Sequence, residues 1–444
     1  MGDGKKLPQF IAAICICIGA MGTGTVIAWT SNISQQLERG DLNKVELDLS
    51  WVGSIMCLGA MLICIPIGLL ADAIGRKLST LLTVIPFVLG WLLLIYTQNT
   101  AMCLVGRFFT GMAGGAFCIV APLYTSEIAQ TEIRGTLGTF FQLFITIGIL
   151  YAQVLGFALG VKLFCYACLV VPIVFGVCFL FQPESPTYLI KKGKKDKAQS
   201  SFQRLRGKDY DATEETKSIQ SAIDKEEELK DVFWSTLKTK QGKKSSLICF
   251  MLMFYQQLSG INAVMFYSGA IFIDAGSTVD PGICTIIIGV VQVIATLFSS
   301  WSVDKVGRKI LMMASCGVMA VSTFLMGIFF LIKEKEMIEK DSITSIGWLP
   351  LIALVLFIIA FSFGAGPIPW MASSELFPPA IKAGMSAAAG TFNWFLAFLV
   401  TIGYAPVSSY VIGLPADPDE DEKTSRRPIP VTASSKKCIC TLST

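Results

Sequence analysis

Eleven apolar runs of about 20 residues each dominate this chain. They fall at about 9–30, 51–71, 79–97, 101–123, 137–160, 163–182, 247–273, 282–303, 310–332, 348–372 and 384–404. A bilayer core about 30 Å thick takes roughly 20 residues of helix to cross. Inside lipid each backbone polar group must find its partner within the protein, and a continuous run of this length does so as a helix. The fold class is therefore all-α and polytopic. Charged residues make up 15% of the 444 and hydrophobic ones 53%, whereas a soluble domain carries about 25% charged residues. Mean hydropathy is +0.63. The run from Phe10 to about Trp29 is too long for the core of a cleavable signal peptide, so the first span is expected to stay in the mature chain.

Several chemistries are excluded at once. The sequence has no histidine, which rules out a Ser-His-Asp triad, a His-ligated metal and a His proton relay. The 14 cysteines lie mostly within apolar runs, where they act as small hydrophobes, and suggest neither a metal site nor a disulfide framework. No nucleophile–base set is visible, so neither an enzyme nor a cofactor is expected. A net charge of +4 is too small to point to nucleic acid, and nothing demands more than a monomer.

Lysine and arginine set the expected orientation. Lys5 and Lys6 precede the first span; Arg76 and Lys77, Arg134, and Lys305, Arg308 and Lys309 follow the second, fourth and eighth. A lysine-rich segment at about 183–246 separates the sixth and seventh spans. The N-terminus and this linker are thus expected on the cytoplasmic side of the plasma membrane, and the loop at 31–50 outside. That loop carries a glycosylation sequon, Asn32-Ile33-Ser34. The linker's mixed charges suit short helices lying under the membrane, although a solvated linker fits them almost as well.

The most unusual stretch is Gln256-Gln257-Leu258-Ser259-Gly260-Ile261-Asn262, inside the seventh run. Amides at membrane depth are costly unless they pair with each other, with neighbouring helices or with something wet. A polar, uncharged ligand whose groups both donate and accept suits them, and sugar hydroxyls do both. On an ideal helix Gln257 and Asn262 point about 140° apart. Either the helix breaks near Ser259-Gly260, or only part of the set faces one ligand.

The chain also repeats itself. Asp72-Ala73-Ile74-Gly75-Arg76-Lys77 recurs as Asp304-Lys305-Val306-Gly307-Arg308-Lys309. Ser126-Glu127-Ile128, with Arg134 seven residues past the glutamate, recurs as Ser374-Glu375-Leu376 with Lys382. Two such elements in register imply a duplicated bundle: a first half at 1–182, the linker at 183–246 and a second half at 247–404. Carriers built from paired repeats bind substrate near the midplane between them. Gly111 with Gly115, and Gly19, Gly22 and Gly24, suit close helix packing.

With these elements in place the chain resembles the sugar-porter, glucose-transporter-like branch of the major facilitator superfamily. The resemblance rests on Gly106-Arg107-Phe108, Pro122 to Glu127 running on to Arg134-Gly135, Pro183-Glu184-Ser185-Pro186 and the 256–262 stretch. It continues in Gly366-Pro367-Ile368-Pro369-Trp370, Ser374 to Phe377 and Asn393-Trp394. The finer wording is most similar to the insect facilitated trehalose transporter-like group. The resemblance implies a fold of two six-helix halves. It implies a sugar site of Gln142, Gln256, Gln257, Asn262, Gln292, Trp370 and Asn393, with the Trp370 indole as a wall against a pyranose face. Helix–helix hydrogen bonding remains the other reading of each amide. It also implies an inner gate in which Asp72, Arg76, Lys77, Glu127 and Arg134 face Asp304, Arg308, Lys309, Glu375 and Lys382. Positive-inside anchoring and helix capping would account for some of these charges as well.

Departures from the family pattern matter too. Ser362, Phe266 and Ala397 stand where polar or acidic groups are common in the glucose carriers, and Lys382 replaces an arginine. Residues 11–30 hold no acidic group for proton coupling, which favours facilitated, uniport movement of a hexose or trehalose by alternating access. Arg107 then lacks an acidic partner and is expected to be structural. Past Thr401 the pattern is lost: there is no twelfth apolar run, and the tail at 405–444 is polar and atypical. This leaves a second expectation open, a sugar sensor or truncated isoform that does not transport.

Overall fold

The computed structural model describes residues 4–38, 48–230, 232–275, 279–335 and 347–412, and all the regular structure in them is helical. The first six apolar runs form α1 (Leu7–Glu38), α2 (Leu49–Ile74), α3 (Arg76–Leu82) with α4 (Val84–Ile95), α5 (Thr100–Ile128), α6 (Arg134–Ala158) and α7 (Val161–Leu180). The linker carries α8 (Pro186–Lys191), α9 (Lys195–Arg206), α10 (Thr213–Lys230) and α11 (Phe233–Lys238). The remaining spans are α12 (Lys240–Leu258) with α13 (Ile261–Ala275), α14 (Pro281–Val306), α15 (Arg308–Glu334), α16 (Leu349–Phe363) with α17 (Pro367–Glu375), and α18 (Pro379–Ile412). Eleven membrane-length apolar helices are thus present among the described residues.

Local chemistry sets many of the ends. Asp48 and Asn99 cap α2 and α5, accepting from Ser50 N at 2.8 Å and Met102 N at 2.9 Å. The repeated glycine, Gly75 and Gly307, ends one span and starts the next with φ at +107° and +91°. A Cβ on Gly75 would also lie 2.3 Å from Glu184 Oε2, so both conformation and space demand glycine there.

In the first six spans, α2 packs on α5, α1 on α6 and α7, and α4 on α5 and α7. The glycines singled out in the sequence make these approaches close. A Cβ on Gly111 would lie 2.1 Å from Met56 O, and one on Gly24 2.1 Å from Ile145 O. In the last five spans, α15 and α14 pack on α16, and α12 packs on α18. The two sets meet through α1–α13, α2–α18 and α6–α14. Call the side that carries the loops with Arg76, Arg134 and Arg308 the basic end. The two sets then join at the opposite end, where the Ser31 and Ser268 hydroxyls are 2.9 Å apart. There a Cβ on Gly53 would meet Thr401 Cγ2 at 3.2 Å, and one on Gly282 would meet Phe157 at 2.4 Å.

Two expectations about the spans change. The first helix does not stop near residue 30 but continues to Glu38, so Asn32 is helical rather than in a loop. It is 4% exposed, and its Nδ2 donates to Ala152 O at 2.8 Å. A glycosyl acceptor needs an accessible amide, and this one is buried and engaged, so Asn32 is corrected to a packing residue. The third run is two helices rather than one, whereas the seventh breaks at Ser259-Gly260, the first of its two readings, and the tenth breaks just before Pro367-Ile368-Pro369.

Candidate functional site

Two of those breaks build the site. In the seventh span α12 ends at Leu258 and α13 begins at Ile261, with Gly260 between them at φ +87°. This is the break that the mismatch between Gln257 and Asn262 pointed to. It swings Asn262 round, so that its Nδ2 donates to Gln257 Oε1. In the tenth span the chain departs from helix between Phe363 and Pro367. Pro369 has no N–H to give the carbonyl four residues back, so Ala365 O loses its helical donor. Gln256 replaces it: Nε2 lies 2.7 Å from Ala365 O and 2.9 Å from Gly366 O. Ser315 of α15 braces the other side. Its Oγ donates to Ala360 O at 2.7 Å and accepts from Ala365 N at 3.0 Å.

Between the breaks runs a one-way chain of amides. Asn262 donates to Gln257, and Gln257 Nε2 donates to Asn393 Oδ1 at 2.8 Å. Asn393 Nδ2 donates to Gln256 Oε1 at 2.8 Å, and Gln256 passes the sequence on to the freed carbonyls. Each oxygen accepts from one neighbour while the nitrogen of the same amide donates to the next, so successive bonds polarise one another. Gln256, Gln257 and Asn393 are buried, and Asn262 is half-buried. Gln256 and Asn393 lie about 24 and 21 Å along the axes of α12 and α18, so the set sits deep in the bundle.

The other expected site residues lie outside this chain. Gln142 is half-buried on α6. Gln292 on α14 is buried, and its Oε1 has no hydrogen-bond partner among the described residues. Trp370 is half-buried on α17 and faces Gly390, whose added Cβ would lie 3.6 Å from the indole. Phe266 and Ala397, the two apolar departures, are core positions.

Two residues escaped the sequence reasoning. Gln153 shares a stripe of α6 with Gln142, since eleven residues return a helix to within about 20°, a signal that was available. It is buried, its Oε1 has no hydrogen-bond partner among the described residues, and it fills the hollow beside Gly289, where a Cβ would lie 2.0 Å from that oxygen. Ser315 left no signal, because only folding brings it to the tenth span.

Among the described residues, the charged groups at the basic end pair with residues of the same set of spans or of the linker. Arg76 is buried and grips Glu127 with two nitrogens, Nε to Oε2 at 2.9 Å and Nη2 to Oε1 at 2.8 Å, while Nη1 reaches Asp72 at 2.9 Å. Ser185 also donates to Glu127. Glu184 caps α3, accepting from Arg76 N and Lys77 N at 3.0 Å each. Lys77 Nζ donates to Leu180 O at 2.7 Å, and Arg134 Nη2 to Ala129 O at 3.3 Å. In the second half Arg308 pairs with Glu375 at 2.8 Å, with both side chains 43% exposed. Lys309 and Lys382 are exposed. Asp304 belongs to the expected set, but its side chain lies outside the described residues. Arg107, as expected, is structural. It is fully buried and donates to Val52 O, Val26 O and Thr30 Oγ1, which pins α5 to α1 and α2.

This arrangement of spans is the major-facilitator fold. It matches a structure of the proton:xylose symporter XylE bound to 6-bromo-6-deoxy-D-glucose with a TM-score of 0.74, over 91% of this chain and 90% of that one, at 20% identity. The chain belongs to the sugar (and other) transporter family, whose model matches residues 11–411, and so to a family of transporters rather than enzymes. Among curated relatives, the facilitated trehalose transporter Tret1 of Polypedilum vanderplanki is 37% identical over 403 residues, 90% of this chain and 79% of that protein. Tret1 of Aedes aegypti is also 37% identical over 403 residues, 90% of this chain and 50% of that longer protein.

Proposed function

We propose that this protein carries a hexose or trehalose by uniport, through alternating access of its two halves, 1–182 and 247–404, about the amide site. The observation that carries this proposal is the amide chain from Asn262 to Gln256, lodged between the breaks of the seventh and tenth spans. Without ligand the amides satisfy one another. A sugar hydroxyl, which both donates and accepts, can replace an amide in the chain without leaving a buried group unpaired. Gln257, Asn262 and Asn393 are the exchangeable members, with Gln142, Gln292 and Trp370 completing the contact. Gln256 spends its NH2 on the tenth span and serves as a brace.

Uniport is supported by Arg107, whose described hydrogen bonds go to two carbonyls and a hydroxyl rather than to a carboxylate. Close packing of the halves at the end away from the basic loops fits a carrier shut on that side. The pairing of Arg76 with Glu127 and Asp72, and of Arg308 with Glu375, fits a gate released at the basic end. We place that end in the cytoplasm and the protein in the plasma membrane.

Labelled glucose and trehalose uptake into liposomes tests this. Uptake of one of them should saturate, ignore a collapsed proton gradient and fall at least about tenfold in Gln257→Ala, the loss expected for one or two hydrogen bonds to ligand. Concentrative uptake abolished by a protonophore would exclude uniport. Sugar binding without any flux would replace transport with a sensing role.

A further inference from the structure

The junction between the linker and the seventh span forms a second surface, unconnected with the sugar site. α11 has only six residues but two distinct sides. Phe233 and Leu237 pack inward with Cys249, Phe377 and Ile381. Trp234 and Lys238, four residues apart on the other side, are exposed, the indole by 69%. Thr239 then caps α12, with Oγ1 accepting from Gly242 N at 3.0 Å. The new helix opens with Lys240, Lys243 and Lys244, all exposed.

Those three lysines lie seven, four and three residues before Leu247, hence on its side of the helix. The same stripe continues through Phe254 and Leu258, and all three apolar side chains are exposed. An exposed apolar stripe on a membrane-spanning helix faces acyl chains. The lysines directly beyond it are therefore at headgroup level, where long basic side chains extend toward the interface and an indole is favoured. None of the four lysines makes an ion pair among the described residues. The first turn of α12 contains no acidic residue.

We infer that Trp234, Lys238, Lys240, Lys243 and Lys244 form a binding site for anionic phospholipid headgroups of the leaflet at the basic end. Charge complementarity selects the occupant: four ammonium groups with no ion pair among the described residues attract phosphatidylserine or phosphoinositide and gain little from zwitterionic lipid. Each lysine at the surface is worth about fivefold in binding, and salt weakens the attraction.

The test uses the full-length protein in detergent, titrated with short-chain phosphatidylserine and phosphatidylcholine, with bound lipid counted by native mass spectrometry. Phosphatidylserine should bind at least about tenfold more tightly than phosphatidylcholine. The preference should vanish when Lys238, Lys240, Lys243 and Lys244 are changed to Gln and survive when they are changed to Arg. It should also survive the same neutralisation of Lys192, Lys194, Lys195 and Lys197, an equally basic, exposed cluster around α8 and α9. Should the fourfold Gln variant fail to fold, Lys243→Gln with Lys244→Gln should still weaken the preference severalfold. Equal binding of the two lipids, or a preference untouched by the Gln changes or lost equally with either cluster, would overturn the assignment.

Discussion

Gln256 is the most informative residue to change, because the structure gives it a role different from that of its neighbour. In Gln256→Leu the side chain keeps its bulk but loses both the donor to Ala365 O and Gly366 O and the acceptor for Asn393 Nδ2. Pro369 has already removed the helical donor for Ala365 O, and both carbonyls belong to buried residues. Each stranded buried acceptor costs about 1–3 kcal/mol, so the change should destabilise the break by about 2–6 kcal/mol. Thermal unfolding of the purified protein in detergent, without sugar, reads this directly. The midpoint should fall by several degrees in Gln256→Leu and by clearly less in Asn262→Ala, which strands one side-chain acceptor, Gln257 Oε1, and no backbone carbonyl. If Gln256→Leu melted with the wild type and lost only sugar binding, the brace would be wrong and Gln256 would rejoin the ligand contacts.

Three further outcomes follow from the same structure. Arg76→Gln breaks a buried, two-pronged pair and should cost about 3–5 kcal/mol; Arg308→Gln breaks an exposed one and should cost about 0–1 kcal/mol. Equal melting points for the two variants would contradict the buried Arg76–Glu127 geometry. Gly289→Trp adds more bulk than turning the Gln153 side chain aside can accommodate while α6 and α14 touch. It should hold that end of the bundle apart, block uptake and expose a cysteine placed at Ser31 to an impermeant thiol reagent; unchanged labelling would count against it. Asn32 should carry no glycan, so treatment with a glycosidase should leave gel mobility unchanged. A shift abolished by Asn32→Gln would show that the burial of this amide is misplaced.

The sequence alone determined the membrane class, the eleven spans and the repeat, and offered the break at Gly260 as one of two readings. Each follows from local physics: the length of an apolar run, the recurrence of a charged turn, the angular offset of two residues on one helix. What the sequence could not determine was the partner of each freed group. That Gln256 turns to Ala365 O, that Asn393 joins Gln257 to Gln256, and that Ser315 braces the far side depend on residues more than 40 positions apart meeting in space. The same is true of Asn32, which carries a glycosylation signal by sequence and is buried only because α1 packs against α6. In the 256–262 stretch, composition announced a polar ligand. Tertiary packing set Gln256 against the freed carbonyls of the tenth span and joined Gln257 and Asn262 in the amide chain, because a hydrogen bond is decided by geometry and spacing along the chain does not fix geometry across it.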